Sequence, residues 1–160
     1  MRDALLTALE GSGVAVMLRR SLWLYPMVSA AHILGISLLV GAIVALDARI
    51  LGFARSVPLA AAARVLLPFA VGGFCLAALA GFSLFIVQPY EYAANPAFPV
   101  KMGLLVLALA NVGAQHLRPA WRTALADGGA ISGGVKLAAA LSVLLWLAVL
   151  VAGRLLGFLG

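Results

Sequence analysis

Four predominantly apolar stretches, at 22–46, 65–87, 98–117 and 137–158, constrain this chain more than any other feature. About 20 such residues, rising about 1.5 Å each as a helix, cross the hydrocarbon core of a bilayer. The first stretch has His32 as its one group titrating near neutral pH, and the second carries no charge. The third opens near Lys101 and closes on Gln115 and His116, and Arg154 interrupts only the end of the fourth. A helix satisfies its own backbone in lipid, so the expected fold is all-α: a transmembrane antiparallel four-helix bundle.

Composition agrees. The chain is 65% hydrophobic and 10% charged, with a mean hydropathy of +1.15, whereas a soluble domain carries about 25% charged residues. That excludes a soluble enzyme, a disordered tail and a nucleic-acid-binding module. The net charge of +6 comes from 11 basic residues dispersed over the loops. Lipid headgroups, and no nucleic acid, are their expected partners. A single cysteine, Cys75, excludes an intrachain disulfide and a cysteine-rich metal cage.

One membrane domain, 1–160, accounts for the chain. Pro58 and Pro68 are expected to bracket the approach to the second span. Residues 88–96 read as a turn-rich loop, Pro119 ends the third span, and Asp127-Gly128-Gly129 with Gly133-Gly134 makes the last connection. Residues 1–20 are apolar but broken by Gly11-Ser12-Gly13 and interrupted by Asp3 and Glu10. They do not read as a signal peptide. The expectation is an N-terminal interfacial amphipathic helix with Arg19 and Arg20 towards headgroups, a frayed terminus being the alternative. Trp23, Tyr25, Tyr90 and Tyr92 read as an aromatic belt. Arg49, Arg55, Arg64, Arg118, Arg122 and Lys136 in the loops between spans favour extracytoplasmic termini.

Ionisable groups inside a bilayer are costly, and each is a functional hypothesis. His32 is flanked at three residues on either side by Ser29 and Gly35, which share its helical face. Small neighbours leave room for a packed helix, with the imidazole hydrogen-bonded across the interface, or for a flat macrocycle with His32 as a haem-b ligand. His32 lies about 12 Å below the terminus-side surface and His116 about 27 Å, too far apart for two axial ligands of one iron. His116 is expected at the opposite interface beside Arg118 and Trp121. Lys101 enters from the terminus side, where its amine either snorkels to headgroups or reaches the level of His32. Arg154 returns to that surface from the fourth span, to pair with Glu91, a headgroup or a haem propionate. Ser142, Trp146 and Arg154 share a helical face. Asp47 and Arg49 close the first span, with Asp47 expected to pair with Arg64 or Arg118. Gly72, Gly73 and Gly81 permit self-association, and Cys75 reads as an apolar filler.

Several segments carry a resemblance: Trp23-Leu24-Tyr25-Pro26, His32-Ile33-Leu34-Gly35, residues 46–52 (Leu-Asp-Ala-Arg-Ile-Leu-Gly), Asn95-Pro96-Ala97-Phe98 with Lys101-Met102, and Val151-Ala152-Gly153-Arg154. From Leu22 onwards the chain resembles an uncharacterised family of four-helix bacterial inner-membrane proteins, a domain of unknown function. More remotely it is similar to HemJ-type protoporphyrinogen oxidases and copper-resistance D-type membrane proteins. The oxidase resemblance implies haem-b binding at His32 and Lys101, with Arg49 near the position of an arginine that closes helix 1. The aromatic residue usual in that helix is Ser37 or Leu39 here, and the later histidine of helix 3 falls near Asn111 or Val112.

The expected function is that of a haem-b membrane protein passing electrons between the quinone pool and a redox partner, with His32 and Lys101 as iron ligands. Arg154, Ser29 and Gly35 complete the expected cofactor site. Two alternatives stay open: an assembly or structural subunit without cofactor, and a copper-handling permease using His32, Met27, Met102 and Cys75.

Overall fold

The computed structural model describes residues 2–126 and 129–158. The side chain of Arg2, the Met1 start of the expected interfacial helix and the Asp127-Gly128 part of the last connection lie outside the described residues. Everything regular among the described residues is helical. The elements are α1 (Arg2–Glu10), α2 (Gly13–Arg20), α3 (Leu24–Leu51), α4 (Leu59–Val87), α5 (Pro89–Ala94), α6 (Ala97–Leu117), α7 (Pro119–Leu125) and α8 (Gly133–Leu156). Of these, α3, α4, α6 and α8 are long and apolar enough to cross a membrane, so the chain is a multi-pass membrane protein built as a four-helix bundle.

Helix ends depart from the apolar boundaries where capping chemistry carries them further. α3 runs on through Asp47 and Arg49 to Gly52, whose φ of +112° only glycine adopts freely. There the Phe53 N–H reaches the Ala48 carbonyl at 3.0 Å and the Gly52 N–H reaches Arg49 at 3.2 Å, a Schellman closure. α4 starts at Leu59 behind Pro58, so Pro68 does not bracket this helix but lies inside it. Within the bundle, neighbouring helices make such a proline tolerable. The expected loop at 88–96 contains α5, opened by Pro89, and Pro119 ends α6 by starting α7. Ser37 and Ser83 donate to the carbonyls of Ile33 and Leu79, each at 2.9 Å, so no hydroxyl faces lipid unpaired at either position.

α3 packs along α4, α8 along α6, and α3 against α8 joins the two pairs. The order across the bundle is therefore α4, α3, α8, α6. Side chains close the remaining side. Trp146 of α8 is buried among Leu39, Ala42, Ala70 and Ala108, which come from the three other spans. Near the terminus end, Phe85 of α4 stacks on Phe98 of α6 at 5.4 Å, with Tyr92 against both. At the opposite end a second cluster joins Leu46, Ile50, Leu59, Ala63, Trp121, Ala124, Val135 and Ala139.

The N-terminal segment is two helices, not the single expected one. The Ser12 hydroxyl accepts the Ala15 N–H at 3.3 Å and opens α2 as its N-cap. Both helices lie across the end of α4 and bury Leu6, Ala15 and Leu18. Arg19 is not directed to headgroups. It donates to the Val87 carbonyl at 2.8 Å and to the Glu10 carbonyl, and forms with the Glu10 carboxylate the one ion pair among the described residues, at 3.7 Å. The carbonyls that end α4 lack helical partners, and a guanidinium is the best donor to supply one. Arg20 is exposed.

Candidate functional site

The site at the terminus end is built on the α3–α4 seam. α4 presents Gly73, Ala77 and Gly81 at intervals of four, a small-residue stripe that lets α3 approach to backbone contact. A Cβ on Gly35 would fall 2.5 Å from the Ala77 nitrogen, and one on Gly73 would fall 2.6 Å from the Leu39 nitrogen. The space beside Gly35 is thus filled by α4. Gly73 and Gly81 serve this internal contact rather than an intermolecular one, while Gly72 faces open space.

His32 lies in the same seam, one turn before Gly35. Its ring sits over Gly81, where a Cβ would come 2.8 Å from Cε1. Nδ1 is 2.8 Å from the Ala77 carbonyl oxygen. A carbonyl can only accept, so Nδ1 carries the proton and, in the neutral ring, Nε2 presents a lone pair. Among the described residues nothing hydrogen-bonds to Nε2.

Lys101 approaches from the other helix pair. Its chain lies along α8, and a Cβ on Gly153 would meet Cε at 3.5 Å and Nζ at 3.7 Å. The ammonium stands within electrostatic range of the His32 imidazole, and among the described residues it makes no hydrogen bond or ion pair. Asn95 holds this corner together. Its amide donates to the Leu156 carbonyl at 3.3 Å and its Oδ1 accepts the Ala97 N–H at 2.9 Å, tying the end of α8 to the start of α6. Gly81, expected only to permit self-association, lies under the His32 ring, and Gly153, present in the sequence reading only as part of a motif, lies against the Lys101 chain. The spacing of Gly81 from Gly73 and Ala77 is the signal that could have placed it here.

The other expected residues are dispersed. Arg154 is exposed, with its guanidinium 4.7 Å over the Phe158 ring rather than on Glu91. Ser29 is half-buried and makes no hydrogen bond among the described residues. Met27 is 65% exposed, Met102 41% exposed and Cys75 also exposed, so these soft ligands face outwards. His116 is at the far end, donating from Nδ1 to the Val112 carbonyl at 2.9 Å with its ring 5.0 Å from that of Trp121. Of the tyrosines read as a belt, Tyr90 donates to the Asp3 carbonyl at 3.0 Å and lies 2.7 Å from the Thr7 hydroxyl. Burial pushes the Tyr92 phenol above its ordinary range, with Tyr25 and Glu91 adding to the effect.

Asp47 departs furthest from expectation. It pairs with neither Arg64 nor Arg118, both of which are exposed. The turn of α3 that carries it faces α8, where the Ser142 hydroxyl meets its carboxyl. Arg49, two residues on, points to the loop and donates to the carbonyls of Val57 at 2.5 Å and Arg55 at 3.5 Å. On that same face of the membrane a cavity of about 140 Å³ is lined by Arg49, Leu59, Ala124 and Ile131 among others.

Comparison with protein-family models, with curated proteins and with solved structures gave no match.

Proposed function

We propose that this chain is a haem-b-binding protein of a bacterial inner membrane, carrying electrons between the quinone pool and a protein partner. One observation carries the reading: the Ala77 carbonyl accepts a hydrogen bond from the Nδ1–H of a histidine inside a membrane span, leaving Nε2 free to coordinate. Histidines that bind metals characteristically donate their other ring N–H to a carbonyl, which orients the ring and raises its basicity. The bound haem would supply one-electron exchange. His32 would hold the iron from α3, and Lys101, without a hydrogen bond or ion pair among the described residues, is the candidate second ligand. Ser29 lines the same helical face, and Gly35 contributes by letting α4 carry Ala77 to the imidazole. Arg154, exposed at the same end, is the group for a propionate or a quinone. The layout of His32 in the first span and Lys101 in the third, similar to that of HemJ-type oxidases, agrees with this assignment, and the loop arginines support periplasmic termini.

The absorbance spectrum of the protein purified from haem-replete cells tests the reading. A Soret band lost in His32→Ala and shifted in Lys101→Met is the expected result. A well-folded, colourless protein would favour a second reading, an assembly subunit in which the imidazole only locks α3 to α4. That reading rests on the Gly35–Gly73 contact. Copper bound without a Soret band would favour a permease.

A further inference from the structure

A second set of buried polar groups runs from the level of Trp146, midway along the bundle, to the end opposite His32. Asp47 is 4% exposed, Gln115 6% and Trp146 1%, and Asp47 Oδ2, Gln115 Oε1 and Trp146 Nε1 have no hydrogen-bond partner among the described residues. α8 links the three in steps of one helical turn. Ser142, which meets Asp47, is one turn from Trp146 on one side and one turn from Ala138 on the other. The Ala138 carbonyl accepts the Asn111 amide at 3.0 Å, and Asn111 is one turn before Gln115 on α6. Buried polar groups are normally satisfied, so three orphans within a few turns mark a site and not a packing detail.

We propose that Asp47 is an intramembrane proton-binding site, taking up and releasing a proton at the membrane face bordered by the α3–α4 loop and α7. A carboxylate away from water must be matched by a cation that touches it. The fixed cations around it do not do so. Arg49 is bound to two loop carbonyls, and Arg64, Arg118, Arg122 and Lys136 are exposed and unpaired with it. His116 is spent on Val112 and Trp121. Among the described residues no group of His, Cys, Asp and Glu assembles to hold a metal ion. A proton therefore neutralises Asp47, and the Ser142 hydroxyl can donate to the carboxylate or accept from the acid. Leu46 and Ile50, neighbours of Asp47 on α3, pack in one cluster with Leu59 and Ala124, which also line the 140 Å³ cavity on that face. Nothing in this inference depends on haem.

Dicyclohexylcarbodiimide, which modifies protonated carboxyls in apolar surroundings, provides the test on the full chain in liposomes. At neutral pH Asp47 is expected to be modified several-fold more than the exposed Asp3 and Glu91, as read by peptide mass. Modification should fall as the pH rises, and Ser142→Ala should move the midpoint of that fall. Equal modification of Asp47 and Glu91 overturns the proposal. So does modification that ignores pH, since a locked acid exchanges nothing. Suppression by sodium chloride but not choline chloride at fixed pH overturns it in favour of a metal cation. The wild-type measurement stands even if variants at Asp47 do not fold.

Discussion

The two polar layers of this bundle solve the same problem in opposite ways. At the terminus end, His32 is placed against a backbone carbonyl that satisfies one nitrogen, and glycines on α4 clear the space for its ring. At the other end, Asp47 faces a hydroxyl on α8, and part of its hydrogen-bonding capacity is left over. The first arrangement is preorganised by close helix contact, which fixes a lone pair in one direction. The second leaves a buried carboxyl oxygen without a partner among the described residues, and that unmet capacity suits it to something that comes and goes. Polar groups in lipid thus divide into those the backbone completes and those it does not.

The comparison breaks most severely at Trp146. The protein's unfolded reference is itself in hydrocarbon, so little transfer energy is lost on truncation, but the cavity remains. Trp146→Ala is expected to lower stability by about 3 kcal/mol, seen as a lower midpoint in a detergent-based thermal or denaturant titration. Trp146→Phe should be much milder, because it also removes a buried N–H that has no acceptor. Both should alter carbodiimide modification of Asp47 while leaving any Soret band in place.

Gly35→Ala is the corresponding break in the His32 layer. Its Cβ would meet α4 backbone at 2.5 Å, which no rotamer change relieves. The expected loss is about 1–3 kcal/mol, together with a weakened Soret band and unchanged Asp47 modification. Gly72→Ala is the control, since nothing lies within 4 Å. Alanine there should be neutral or stabilising by up to about 1 kcal/mol. If the two alanines behave alike, the seam is not what positions His32.

How much of this was legible in the sequence follows from the same physics. The spans were, because lipid imposes a length and an apolarity that four stretches met and the rest did not. His32 and Lys101 stood out as ionisable groups where such groups are rare. The N-terminal helix pair was visible only as the Gly11-Ser12-Gly13 interruption. Pro68 misled because proline ends helices in water but not between packed neighbours. Asp47 was expected to seek an arginine. Its partner depended on which face of α3 turns to α8, and span boundaries carry no rotation. Arg19 read as a headgroup contact because nothing local announces that the last carbonyl of α4 folds back over α2.

Arg19 offers the smaller tests, at the rim of the His32 layer. It donates to the end of α4 and to the end of α1, and it is about one-third exposed at 35% side-chain accessibility. Solvent screening leaves the ion pair little value, so the hydrogen bond to Val87 dominates and Arg19→Met should destabilise by about 1 kcal/mol. Arg20→Met, at an exposed neighbour, should stay within about 0.5 kcal/mol. The difference between the two isolates the capping of α4 from simple loss of charge.

The smallest expected effect is at Tyr90, and it separates a docked N-terminal segment from one held only by lipid. The Tyr90 hydroxyl donates to the Asp3 carbonyl and meets the Thr7 hydroxyl, which itself donates to Asp3 at 2.8 Å. Tyr90→Phe removes that link and leaves the ring in place. Because the contact is exposed, water replaces it at a cost of about 0.5 kcal/mol, too little to move the global midpoint by much. Local opening is the sensitive readout, since terminal segments unfold separately from the bundle. Amide exchange of α1 should quicken in Tyr90→Phe, while that of α3 and α8 stays as in the wild type. Unchanged exchange in α1 would mean that its hold on the protein comes from Leu6 and from the bilayer, and that the rim of the His32 layer is a lipid surface and not a protein one.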